Sequence, residues 1–210
     1  HVEALMAREA AAGLDQIVIL GAGFDTRSYR LPGLGNIPVY EVDHPVTQAA
    51  KRQALSGVVE PPANVKFVTV NFETDDLGER LEASGYDPAG RTLFVWQGVI
   101  MYLTPAGIDQ TLAFVAQHSA PGSVLVFDYM YENLLRRLHG PTAMRFFTRA
   151  MGEDITFGID GDKIVPFLTA RGFGDGLNGE CAERDRRDLT GTNAGRPIAY
   201  DAAIVSAPVR

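Results

Sequence analysis

The chain has one cysteine, Cys181, in 210 residues. A lone thiol excludes an internal disulfide framework and any metal site built on several cysteines, and it fits a reducing cytoplasm, with Cys181 itself expected as a small buried hydrophobe. Long apolar runs are missing as well. The longest, near residues 16–20 and 92–103, fall far short of the roughly 20 residues that cross a bilayer, so no membrane contact is expected. Positive charge is thin: with a net charge of −7 and no dense Lys/Arg run, nucleic acid is disfavoured as a partner and a small molecule is favoured. No metal-ligating cluster is visible, which argues against magnesium-dependent catechol-type chemistry. There is no leader-like start, yet the chain opens at His1 in what reads as a helix, so residues upstream are expected to be absent.

What is present is ordinary globular material, 46% apolar and 21% charged, enough for a single domain with one well-filled core. It is organised around residues 16–43. Gln16 to Leu20 is an apolar, β-branched run that breaks at Gly21-Ala22-Gly23, as a buried parallel strand does when it turns into a helix. Without Cβ atoms at Gly21 and Gly23, a ligand can approach the backbone and meet its N–H groups. About 20 residues later Val39-Tyr40-Glu41-Val42-Asp43 reads as a second strand carrying acids at its end, where a ribose diol would be held.

The rest of the pattern extends this unit. Residues 2–13 read as a helix burying Val2, Leu5, Met6 and Ala10, with Gly13 as its stop. Helices are expected over Phe24 to Leu31, Val46 to Leu55, Leu77 to Ser84, from Thr104-Pro105 onward, and over Ile164 to Arg171. Lys51-Arg52 fall late in their helix, where cations suit the C-terminal dipole. Strands are expected at 38–42, 65–70, 92–96 and 123–128, with two more at about 177–181 and 198–205. Residues 130–165, with Tyr131, Met144, Phe146, Phe147, Met151 and Phe157, read as helical cover over the site. Alternating strands and helices predict an α/β fold, a Rossmann-like, mostly parallel sheet with helices on both faces. Its ligands bind outside the carboxyl ends of the strands, so Gly21 to Asp25, Asp43, Asn71 to Glu73 and Gln97 converge on one edge.

The string GAGFDT from Gly21 to Thr26 lacks the third glycine of a dinucleotide fingerprint. Asp25 would repel a diphosphate and attract an ammonium. S-adenosylmethionine carries an ammonium, a carboxylate, a ribose diol and an adenine but no phosphate, and it suits such a pocket.

The segments VILGAGFDTRSYRL (18–31), YEVDHPVTQAAKRQAL (40–55), VTVNFETDDL (68–77), FVWQGVIMYLT (94–104) and PGSVLVFDY (121–129) resemble class I S-adenosylmethionine-dependent methyltransferases of the leucine carboxyl methyltransferase type, which include polyketide O-methyltransferases. The resemblance implies a seven-stranded sheet whose last strand is antiparallel. It also implies that Gly21, Ala22 and Gly23 line the methionine end of the cofactor beside Asp25 and Arg27, Arg27 being equally suited to a structural ion pair with Asp25 or Glu41, and that Asp43 takes the ribose hydroxyls, with Glu41 in reserve. Asn71 and Phe72 would face the adenine, and Gln97 the cofactor's amino group. Asn71 and Gln97 stand where the family often has acids, and most of the family's N-terminal helical segment is expected to be missing from this sequence.

Transfer of a methyl group from a sulfonium needs alignment and exclusion of water more than acid–base help. A carboxylate acceptor needs no base, whereas a hydroxyl benefits from one. Candidate catalytic residues are few: His139 in the cover segment and Tyr102, with His44, His118, Tyr129 and Tyr131 behind them. The expected activity is O-methylation of a carboxylate or hydroxyl on a small organic acceptor, yielding S-adenosylhomocysteine. A nucleotide-dependent oxidoreductase and a cofactor-binding protein without catalysis remain as alternatives.

Overall fold

Every residue of β1 (Gln16–Leu20) is buried, which is what a run without polar alternation requires of a strand flanked on both edges and covered on both faces. The computed structural model describes residues 1–138, 155–180 and 202–210. In it β1 pairs in parallel with β2 (Val39–Asp43) on one edge and with β4 (Thr92–Trp96) on the other. β3 (Val65–Thr69) flanks β2, and β5 (Val124–Met130) flanks β4. β7 (Ala202–Pro208) lies antiparallel to β5 and to β6 (Leu177–Glu180). The sheet has seven strands in the order β3-β2-β1-β4-β5-β7-β6. Its direction of progression reverses between β1 and β4, and open α/β sheets bind their ligands at that switch point.

Helices cover both faces. Val2, Leu5 and Met6 of α1 (Val2–Ala11) pack with Ile17, Ile19, Val95 and Val126 on one side. α4 (Leu77–Ala83), α5 (Pro105–Gln117) and α7 (Ile164–Thr169) pack on the other, against Val18, Leu20, Phe94 and Phe127. The single core expected from the sequence is therefore two apolar layers separated by the sheet. Thr104 caps α5 as its sequence suggests, its hydroxyl accepting from the Gly107 amide at 3.2 Å.

The helix expected over residues 24–31 shrinks to one turn, α2 (Arg27–Arg30). At its start the Asp25 carboxylate accepts from the Arg27 amide at 2.8 Å, fixing a turn where a longer helix would have begun. At its end Leu31 is extended (φ −76°, ψ 124°), as a residue before proline tends to be. β5 runs to Met130, beyond the expected end at Asp128, because its ladder with β7 continues from Val124 opposite Pro208 to Met130 opposite Ala202.

Of the expected cover, α6 (Glu132–Leu138) is helical. Residues 155–160 are not: they are tied down by Thr156, whose amide donates to Met101 O at 2.7 Å, and by Ile159, whose amide donates to Met130 O at 2.9 Å. His139, Met144, Phe146, Phe147, Met151, Cys181 and the stretch 183–201 lie outside the described residues. Among the described residues no helix is long and apolar enough to cross a membrane.

Candidate functional site

At the switch point the chain leaves β1 through Gly21 and Gly23, both at positive φ (67° and 45°). Neither position tolerates a side chain easily, for different reasons. A Cβ on Gly21 would lie 2.2 Å from Val99 Cγ2, so this glycine lets the loops after β1 and β4 touch. A Cβ on Gly23 would meet nothing nearer than Gly21 O at 3.9 Å, and one on Gly98 (φ 70°) nothing within 4 Å. Those two present bare backbone to open space. The turn is anchored to β2: Ala22 N donates to Val42 O at 2.9 Å, and Gly23 N donates to the Asp43 carboxylate. The other Asp43 oxygen accepts from His44 N at 2.7 Å.

Asp25 does not stand open to a ligand ammonium, as its charge suggested. Arg27 holds it in a fork, Nε lying 3.0 and 2.8 Å from the two carboxylate oxygens and Nη2 2.5 Å from Oδ2. The two side chains are only 12% and 10% exposed, so this charge-assisted pair neutralises the loop. Arg27 Nη1 reaches across to Gln97 Oε1 at 2.5 Å, linking the loops after β1 and β4. The Arg27 amide, at the start of a helix of one turn, is already bonded to Asp25, so the helix N-terminus that a dinucleotide's phosphates would use is not on offer.

Two cavities open here and share Gly21, Gly23 and Gly98. One, of about 700 Å³, gathers Ala22, Asp25, Arg27 and Gln97 with Glu3 and Phe24 at its rim. The other, of about 450 Å³, gathers Asp43, His44, Thr47, Asn71, Phe72, Val99 and Tyr102. All nine positions singled out for the cofactor thus line one cavity or the other, and the bare backbone at Gly23 and Gly98 where they meet is the kind of cradle a bulky elongated ligand fills. Asn71 is less open than expected, because its Oδ1 already accepts from Glu73 N at 3.0 Å.

Glu41 is not a reserve acceptor for a ribose. It is 1% exposed, and its Oε2 accepts from Lys51 Nζ at 2.7 Å. Burial pushes its carboxyl above the ordinary glutamate range, against the pull of Lys51 and Ser28. Lys51, expected from its sequence position only to suit the helix dipole, is 4% exposed and paired within the protein. Gln48 and Lys51 lie three residues apart on one face of α3 (Pro45–Leu55), and both are turned inward and buried.

The catalytic candidates scatter. Tyr102, 38% exposed, sits on a single 3-10 turn (Ile100–Tyr102) at the mouth of the smaller cavity. Tyr129 is wholly buried in the core, with Tyr131 packed edge-on against it at 5.9 Å, and neither lines a cavity described above. His44 caps α3, its Nδ1 accepting from Val46 N at 3.4 Å. His118 stacks on Phe114 at 5.2 Å, away from both cavities. Sequence reasoning missed Gly98, whose amide donates to Asp128 Oδ1 at 2.7 Å, and Val99. A glycine directly after an expected strand end was the available signal.

A family model described as leucine carboxyl methyltransferase matches residues 1–116. A protein of Mycolicibacterium gilvum named "putative S-adenosyl-L-methionine-dependent methyltransferase" is 39% identical over 122 residues, 58% of this chain and 39% of that one. A protein of the same name from Mycobacterium sp. (strain KMS) is 30% identical over 200 residues, 92% of this chain and 65% of its own length. The chain therefore spans less than two thirds of the curated relatives it matches. Among solved structures, a glycopeptide N-methyltransferase complexed with S-adenosyl-L-homocysteine superposes with a TM-score of 0.61 over 99% of this chain and 88% of its own, at 17% identity, a likeness of fold.

Proposed function

The chain belongs to the leucine carboxyl methyltransferase family, and from that membership we propose that it transfers a methyl group from S-adenosylmethionine to an oxygen, carboxylate or hydroxyl, of a small organic acceptor. Its main support is the meeting of two differently furnished cavities at Gly21, Gly23 and Gly98. The smaller one, with Asp43 below and Phe72 and Val99 at the walls, suits an adenosine: Asp43 accepts from the ribose hydroxyls, and Asn71 and Phe72 bound the adenine. The larger one, with Arg27 and Gln97, suits an amino-acid end, where Arg27 attracts the carboxylate and Gln97 meets the amine.

When bound, S-adenosylmethionine supplies an electrophilic methyl group on a sulfonium. The chain's own residues then bind, orient and exclude water. Asp25 and Gln97 grip Arg27 from two sides, so the guanidinium is aimed before the ligand arrives and little ordering remains to be done on binding. Val99, Leu103 and Phe72 keep the cavity apolar beside the reacting centre, which favours loss of charge as the sulfonium is consumed. An ionised carboxylate acceptor needs no proton transfer, and for a hydroxyl acceptor Tyr102 and His139 are the candidate proton-handling groups.

Calorimetry with S-adenosylmethionine, S-adenosylhomocysteine and NADH tests the cofactor, and a panel of carboxylic acids and phenols scored for S-adenosylhomocysteine release tests the reaction. Binding of the two sulfur ligands with turnover of a panel member is expected. Binding of NADH alone would overturn the proposal, and binding without turnover across the panel would favour a non-catalytic role.

A further inference from the structure

We propose that Lys51 is a positioning residue for the methionine end of the cofactor site, acting through the main chain of the glycine loop, an inference that rests on the function proposed above. Lys51 is 4% exposed and lines neither cavity, so it cannot act by touching the ligand. Its ammonium donates to Glu41 Oε2 at 2.7 Å and to the carbonyl oxygen of Asp25 at 2.8 Å, and it lies 5.3 Å from the Tyr29 ring centre. Its donors are thus directed at a buried carboxylate, a loop carbonyl and an aromatic face.

The Asp25 carbonyl is the decisive partner. Asp25 is where the loop turns, its amide donating to Ala22 O at 2.8 Å and its carboxylate gripping Arg27. Arg27 in turn reaches Gln97. A side chain on α3 thereby fixes the peptide from which the Arg27 guanidinium is aimed. The other anchors of the loop, Ala22 on Val42 O and Gly23 on Asp43, lie before Phe24. Lys51 ties the Asp25 side of the turn to β2 and α3 through two short bonds, beside a long contact of 3.5 Å from the Tyr29 hydroxyl to the same Glu41 oxygen. Glu41 makes this possible. A lysine buried without a counter-charge would be strongly disfavoured in its charged form, and Glu41, at the centre of β2, supplies that charge without entering the cavity.

A buried ion pair can often be exchanged for apolar residues of similar volume with little loss of stability, and that allows the two roles to be separated. The variant Glu41→Leu/Lys51→Met removes both charges and the bond to Asp25. It is compared with wild type for thermal stability, for affinity to S-adenosylhomocysteine, and for affinity to 5′-methylthioadenosine, which keeps the nucleoside and sulfur but lacks the amino-acid end. A melting temperature near wild type, a tenfold or greater loss of affinity for S-adenosylhomocysteine, and less than twofold loss for 5′-methylthioadenosine are expected. Unchanged affinity for S-adenosylhomocysteine, or equal losses for both ligands, would overturn the inference. Should the apolar pair not fold, Glu41→Gln/Lys51→Gln is read the same way, since it keeps a hydrogen bond across the site with a side chain too short to reach Asp25 as well. Wild-type protein that binds neither ligand overturns the proposed function and this inference with it, whereas binding by wild type with an unaffected variant overturns this inference alone.

Discussion

Arg27 Nη1 lies 2.5 Å from Gln97 Oε1, so the loop after β1 and the loop after β4 are joined across the point where the sheet reverses. The same guanidinium holds both oxygens of Asp25. A lysine has a point charge on a flexible stem and cannot reproduce that fork and the bridge together. Arg27→Lys is expected to weaken S-adenosylhomocysteine binding about tenfold, or about 1.4 kcal/mol, measured by calorimetry. Wild-type affinity in this variant would mean that Arg27 serves only the loop's own structure.

Asp43 serves two ends. Its carboxylate accepts from the Gly23 and His44 amides while it borders the smaller cavity, so its removal loses ligand contacts and slackens the glycine turn. Asp43→Ala is expected to cost about 1 to 3 kcal/mol of cofactor affinity. Asp43→Asn, which retains one acceptor oxygen, is expected to cost less. Affinities in the order Ala tighter than Asn would contradict this assignment.

Gly21 and Gly23 should fail differently when replaced by alanine. At Gly21 the added methyl meets Val99 Cγ2 at 2.2 Å in a left-handed conformation, so the loss should appear in stability, about 2 to 4 kcal/mol from strain and overpacking together. Val99→Ala in the same chain should recover part of it. At Gly23 only the backbone term applies, about 1 to 2 kcal/mol, and the methyl instead occupies the cradle, so ligand affinity should fall more than stability. Urea denaturation beside calorimetry separates the two patterns.

Glu41 gives a pH dependence of definite sign. Burial raises its carboxyl in the folded state above its ordinary value of 4.5. In the window from 4.5 up to that raised value the native state binds more protons than the unfolded state, so this group's contribution to stability falls as pH rises and is level above the window. Glu41→Gln does not titrate there. The stability of Glu41→Gln relative to wild type should therefore improve with pH across that window, read by urea denaturation at a series of pH values. A stability of Glu41→Gln relative to wild type that worsens or stays level as pH rises across the window would contradict the assigned direction.

Much of the architecture was legible because it rests on local patterns. β1 and β4 were bounded to the residue, since an uninterrupted apolar run ending in a turn has one comfortable place in a parallel sheet, buried on both faces. The cap at Thr104 and the stop at Gly13 (φ 84°) follow from single residues whose chemistry is fixed. The loop residues singled out for the cofactor were also foreseeable as cavity lining, although Gly98 and Val99 were missed. Once strands alternate with helices, the right-handed crossover puts the carboxyl ends of the parallel strands β1 to β5 on one edge, whatever the side chains do there.

What the sequence by itself determined, then, was the sheet, its carboxyl edge and the identity of the residues gathered along it. Tertiary structure alone decided how their charges are disposed. Arg27 pairs with Asp25 and not with its other candidate Glu41, Glu41 turns to Lys51 although its neighbour Asp43 borders the cavity, and Lys51 points into the protein from late in a helix whose dipole its charge would suit. The physical reason is that a buried charge is governed by which opposite charge or carbonyl comes within hydrogen-bond distance. That depends on the packing of α3 against β2 and the glycine loop, and no local pattern along the chain encodes it.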